Sequence, residues 1–188
     1  MRILGISGSL RAASHNTALL AAATQLAPEG VELELFGGLE QLPPYNEDRD
    51  TEQPPAEVVR LRDAIESADA VLFATPEYNG AVPGQIKHLV DWASRPHGPA
   101  ASLWGKPVAA IGASVTDYGA IWAQDQLRRS LGIAGARVLD TALAVGAAGQ
   151  LFDADGQLTD PETRERLAEA VQGLAEHHAS FAAVATAA

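Results

Sequence analysis

The chain has 188 residues, 47% hydrophobic and 20% charged, which is the balance of a globular chain with a substantial core, not a disordered one. It has no cysteine, which rules out disulfide frameworks, thiolate nucleophiles and cysteine-ligated zinc or iron–sulfur sites. Its formal net charge of -11 repels a phosphate backbone, so no nucleic-acid partner is expected.

The start, "MRILGIS", lacks the charged region and long apolar segment of a signal peptide. No apolar run approaches the roughly 18 residues of a membrane span, so no membrane partner and a cytoplasmic location are expected. "RILGIS" (2–7) reads as a buried parallel strand ending at Gly8. "HNTALLAAATQLA" (15–27) is rich in helix formers and stops before Pro28 and Gly30. "VELELF" (31–36) alternates apolar residues with Glu, as in a strand nearer an edge. Residues 37–55 form a long loop with four prolines and several acids, either a lid or a solvated connection.

"AEVVRLRDAIESA" (56–68) has a helical period, and "DAVLFAT" (69–75) is a second buried strand. "PGQIKHLVDWASR" (83–95) is a helix opened by Pro83, and "PVAAIGAS" (107–114) is a strand. "DYGAIWAQDQLRRSLGI" (117–133) and "ARVLDTALAV" (136–145) read as helix and strand. "TDPETRERLAEAVQGLAEHHASFAA" (159–183) is the last helix, with Thr159 or Asp160 as N-cap and Pro161 just inside. Strands alternating with helices of this length make an α/β chain of five βα units around a parallel sheet. In open sheets of this kind ligands bind beyond the carboxyl ends of the strands, which selects loops 8–16, 76–83 and 114–120.

The first loop, "GSLRAASHNTALL", lacks the glycine pattern for a dinucleotide and the lysine of a P-loop. It offers hydroxyls from Ser9, Ser14 and Thr17, the amide of Asn16 and the guanidinium of Arg11. Together with a helix N-terminus these suit one terminal phosphate, although Ser14 or Asn16 could simply cap the helix. The loop also lies in residues 1–28, which contain Arg2 and Arg11 but no acid. In "TPEYNGAVPG" (75–84) Gly80 and Gly84 are expected to loosen the loop. Its backbone donors and Tyr78 could hold a planar heterocycle, whereas Glu77 is either a base or an ion-pair partner of Lys87 or Arg95. In "GASVTDYGA" (112–120) Ser114 ends a strand, Thr116 is a candidate helix cap, and Tyr118 and Gly119 leave room for a ligand wall.

"GSLRAASHNTALL" and "PEYNGAVPGQIKHLVDWASRP" resemble the two signature stretches of the NADPH-dependent FMN reductase family. "FDADGQLTDPETRERL" also resembles its C-terminal segment. The resemblance implies a single flavodoxin-like domain over residues 1–188, a three-layer α/β/α sandwich with a five-stranded parallel sheet ordered 2-1-3-4-5. It implies an FMN cofactor with NADPH or NADH as donor, and ping-pong hydride transfer to a quinone, azo, metal-oxyanion or free-flavin acceptor. It places Ser9, Arg11, Ser14, Asn16 and Thr17 on the FMN phosphate. Pro76, Glu77, Tyr78, Asn79 and Gly80 fall at the isoalloxazine ring, and Ser114 by the ribityl chain or ring. No catalytic side chain is implied, because the flavin carries the chemistry. A homodimer or homotetramer through helices 83–95 and 117–133 is implied too, with Trp92, Ile121 and Trp122 as interface candidates. A flavodoxin-type electron carrier that does not oxidise NAD(P)H is the alternative.

Other motifs fall away. Gly105-Lys106 is followed by Pro107, and "DADG" (153–156) has the wrong spacing for a calcium loop and reads as a surface turn. His177-His178 has no metal-ligating partner four residues away, so no metal is expected.

Overall fold

The computed structural model describes the backbone of residues 1–186 and the side chains of residues 1–180. Strands and helices alternate along it: β1 (Arg2–Ser7), α1 (His15–Leu26), β2 (Glu32–Leu35), α2 (Ala56–Ser67), β3 (Ala70–Ala74), α3 (Gly84–Ala93), β4 (Pro107–Ala113), α4 (Ile121–Ile133), β5 (Arg137–Val145) and α5 (Pro161–Thr186). The sheet runs β2-β1-β3-β4-β5 with every neighbouring pair parallel, the expected order.

Strand alternation divides the core into two layers, because successive side chains point to opposite faces. Leu4, Ile6, Val71, Phe73, Val108 and Ala110 pack under α2, α3 and α4, against Leu61, Ile65, Leu89 and Leu127. Ile3, Leu72, Ala109, Ile111 and Leu143 pack under α1 and α5, against Leu19, Leu20, Leu167 and Val171. The central strands β3 and β4 are buried along their whole length, as strands covered on both faces must be. β2 lies at an edge and buries only Leu33 of its four residues, which explains its alternating glutamates.

The helix starts follow local chemistry. Ser14 caps α1, its hydroxyl accepting from the Thr17 amide at 3.2 Å. Pro83 is the cap residue of α3, and Gly84 is its first helical residue. Asp160, not Thr159, caps α5, its carboxylate accepting from both the amide and the hydroxyl of Thr163.

Helix α4 starts at Ile121, four residues later than the sequence pattern predicts. Gly119 and Ala120 are both left-handed, with φ of 58° and 61°, so the helix cannot reach back through them. A Cβ at Gly119 would lie 2.4 Å from the Ala144 carbonyl carbon. Gly119 therefore lets the loop lie directly on β5; it does not open a ligand wall.

Residues 37–55 form a connecting strap that is solvated over much of its length but tied to the core at a few points. Leu39 and Leu42 are buried, and Gln85 donates from Nε2 to both of their carbonyls. The Tyr45 amide donates to His88 Nδ1, and Asp50 pairs with Arg62 at 2.9 Å. Trp92 anchors the strap from below, donating from Nε1 to the Pro43 carbonyl and meeting the Tyr45 ring edge-on. It is 0% exposed, which corrects its expected place at an oligomer interface.

Candidate functional site

The order β2-β1-β3 reverses chain direction across the sheet between β1 and β3, and the loops leaving these strands flank a crevice. Register brings Ser7 opposite Ala74, and the Gly8 amide extends the ladder to the Ala74 carbonyl at 2.8 Å. The loop after β4 joins them. Ser9, Arg11, Ser14, His15 and Asn16 meet Pro76, Glu77 and Tyr78, and then Ala113, Ser114 and Val115, around a recess of about 130 Å³. Thus the three sequence segments share one wall.

Within this wall the predicted residues separate by what they bond. Ser9 has only long contacts: its hydroxyl accepts from the Arg11 amide and its amide donates to the Ser7 hydroxyl, both at 3.4 Å. Arg11 is exposed, and its guanidinium has no partner among the described residues. The amides of His15 and Asn16, in the first turn of α1, likewise have no intramolecular acceptor. Asn16 is 97 residues from Ala113 in sequence yet bonds it twice: its Nδ2 donates to the carbonyl at 3.0 Å and its Oδ1 accepts from the amide at 2.9 Å. Thr17 shares a 2.8 Å hydroxyl–hydroxyl bond with Ser7 and does not line the recess.

Loop 76–83 is tighter than its glycines imply. Tyr78 and Ala81 exchange two backbone bonds of 3.1 Å, closing a two-residue hairpin. Its central residues Asn79 and Gly80 both have positive φ, 53° and 72°, the Asn-Gly signature of a type I′ turn. Gly80 thus closes a hairpin instead of loosening the loop. Tyr78 stands half exposed on it. Glu77 pairs with neither Lys87 nor Arg95: its Oε2 accepts from the Ala123 amide of α4 at 3.0 Å. Lys87 pairs with Asp91, and Arg95 donates to Ser94 and lies over the Tyr45 ring. From α4, Gln126 accepts from the Val82 amide at 2.8 Å.

In the third loop Ser114 and Thr116 share a 2.9 Å hydroxyl bond, and Thr116 caps no helix. Tyr118 and Trp122 stack obliquely at 4.8 Å beside the loop, 60% and 49% exposed.

This chemistry fits the phosphate of a mononucleotide. Arg11 is the one unpaired cation on the wall, its neighbours are hydroxyls and free helix-terminal amides, and the one nearby anion, Glu77, is bonded to α4. At roughly 30 Å³ per water the recess has about four water volumes, well below the roughly 300 Å³ of a whole small-ligand pocket. It therefore has room for one end of such a ligand and not for the whole.

Sequence reasoning assigns no role to His15, Ala113, Val115 or Gln126. His15 lines the recess with its ring 5.4 Å from Phe152, and its place between Ser14 and Asn16 was the available signal. Ala113 and Gln126 act through partners far away in sequence, which no local pattern carries. Among the described residues no cluster of side chains is arranged to hold a metal.

A parallel sheet in this order, with a recess where the loops after β1, β3 and β4 meet, is the flavodoxin-like architecture. Residues 1–150 match the family described as NADPH-dependent FMN reductase, and the chain belongs to that family. It is 42% identical over 175 residues to an NAD(P)H-dependent FMN reductase of Pseudomonas aeruginosa, covering 93% of each chain. It is 40% identical over 157 residues to a quinone reductase of Pseudomonas putida, covering 82% of this chain and 83% of that one. The solved flavoenzyme NAD(P)H:(acceptor) oxidoreductase of Paracoccus denitrificans superposes with a TM-score of 0.85 at 36% identity, covering 95% of this chain and 97% of that one. The activity of the chain is FMN-dependent NAD(P)H oxidation.

Proposed function

We propose that the recess after β1 holds the FMN phosphate, that the ring lies along Pro76–Gly80, and that the physiological acceptor is a quinone. The carrying observation is that Arg11, with an unpaired guanidinium, lines one recess with Ser9, Ser14 and the first turn of α1, whose first amides are free, at a sheet switch point. In this reading Ser9, Arg11 and Ser14 bind the phosphate directly. Asn16 fixes the loop to Ala113, and Thr17 fixes Ser7, so both brace the cradle from behind. Tyr78 borders the ring, the Asn79–Gly80 turn closes the hairpin that carries it, and Ser114 lines the recess with them.

FMN held there would supply the hydride-accepting and electron-donating chemistry between nicotinamide and acceptor. The protein binds, orients and shields, and no side chain of the wall need exchange a proton. Donor and acceptor enter over the same open face in turn. Tyr78 gives that face a half-exposed aromatic ring, which suits a planar quinone, whereas the net charge of -11 disfavours metal oxyanions. A relative's name as quinone reductase supports the same choice. The exposed Ile121 and Trp122, with Ile133 at 78% exposure, make α4 the proposed contact of a homodimer or homotetramer. Among the described residues no helix is long and apolar enough to cross a membrane, and a cytoplasmic location is proposed.

The test is anaerobic mixing of FMN-loaded protein with NADPH or NADH, followed by an acceptor panel. Bleaching of the flavin band and fastest reoxidation by quinones are expected. Absence of bleaching refutes the oxidoreductase assignment in favour of an electron carrier, and a faster azo, oxyanion or free-flavin acceptor refutes the quinone choice.

A further inference from the structure

We infer that Glu77 is a positioning residue: its carboxylate and the Gln126 side chain form a clasp that fixes the Tyr78–Ala81 hairpin to helix α4. The inference rests on the reading of that hairpin as the flavin-ring border.

The two bonds flank the hairpin on either side. Glu77, just before it, accepts from the Ala123 amide, and Val82, just after it, donates to Gln126 Oε1. Ala123 and Gln126 are three residues apart, so they occupy one face of the same helix. The dependence runs both ways. Helix α4 is preceded by the left-handed Ala120 and has no side-chain cap of its own, so Glu77 supplies the acceptor that its first turn lacks. The hairpin, whose internal bonds close only its own turn, receives its height above the sheet from α4.

The start of α4 is itself fixed. Gln124, 0% exposed, donates from Nε2 to the Gly119 carbonyl, and Gly119 lies against the β5 backbone. A chain of contacts thus runs from β5 through Gly119 and α4 to Tyr78. Glu77 acts on the ring through this frame, not as a proton acceptor.

The test compares Glu77→Ala, Glu77→Gln and Gln126→Ala. Amide hydrogen exchange at Ala123 and Val82 is read in flavin-free protein, and FMN and riboflavin dissociation constants by flavin fluorescence. Glu77→Ala is expected to expose the Ala123 amide and to weaken both flavins about tenfold, because they share the ring. Glu77→Gln, whose amide oxygen accepts the same bond, is expected to stay within about twofold of wild type on both readouts. Gln126→Ala is expected to expose Val82 and weaken both flavins. The clasp is overturned if Glu77→Gln is as impaired as Glu77→Ala, since the charge would then be what matters. It is equally overturned if Glu77→Ala leaves Ala123 protection or riboflavin affinity unchanged. Wild-type protein that binds no flavin refutes the functional reading instead, while the exchange data still decide the clasp.

Discussion

Asn16 spends one amide hydrogen and its carbonyl oxygen on Ala113, tying the loop after β1 to the end of β4. Removing it leaves two buried backbone groups unpaired, so Asn16→Ala is expected to cost about 1–3 kcal/mol of stability in denaturant titrations of flavin-free protein. A residue that only donated to the phosphate would leave flavin-free stability unchanged. Arg11 provides the contrast, being exposed and unpaired, so its loss costs the fold little. Arg11→Ala is expected to raise the FMN dissociation constant about tenfold, through loss of a charge-assisted bond, and to leave riboflavin affinity unchanged. An equal effect on both flavins would move Arg11 off the phosphate. Both residues stood out in the sequence by type and position. Their division of labour did not, because the partner of Asn16 is 97 residues away.

At the level of elements, caps decide where helices begin. The Thr163 hydroxyl and amide, both donating to Asp160, hold its carboxyl below the usual carboxylate range. A folded-state pKa below the unfolded value of 3.8 means that the cap stabilises above pH 3.8 and is lost as pH falls through the lower folded value. Asp160→Ala is therefore expected to lower Tm at neutral pH, and the gap from wild type should close as pH drops well below 3.8. A gap that persisted in acid would refute the cap. Asp160 was legible as one of two candidates, since Pro161 marks the first turn. The late start of α4 was not, because Gly119 is left-handed only where it lies on β5. The strap 37–55 was legible only in part: its acids are largely solvated, as its composition suggests, but Leu39 and Leu42 find a core surface beside α3.

Across the whole molecule Trp92 and Trp122 separate folding from the proposed assembly. Trp92 is fully buried under the strap, and Trp92→Ala is expected to cost about 3–5 kcal/mol, a large part of an ordinary domain's stability, measured by denaturant unfolding. Trp122 is 49% exposed on α4, and Trp122→Glu is expected to shift sedimentation toward the monomer with an unchanged circular dichroism spectrum. A monomeric wild type would refute assembly through α4. By itself the sequence determined the succession of strands and helices, the edge character of β2 and the three loops that bear the site. Those features follow from hydrophobic period and local turn chemistry, which neighbouring residues carry. The resemblance carried by the two loop motifs supplied the sheet order and the cofactor class. Only the tertiary structure decided which site residues face the recess and which brace it, and that Glu77 caps α4 and Trp92 is core. Those outcomes depend on what burial brings into contact from distant segments, and a hydrogen-bonding side chain takes the partner it finds there.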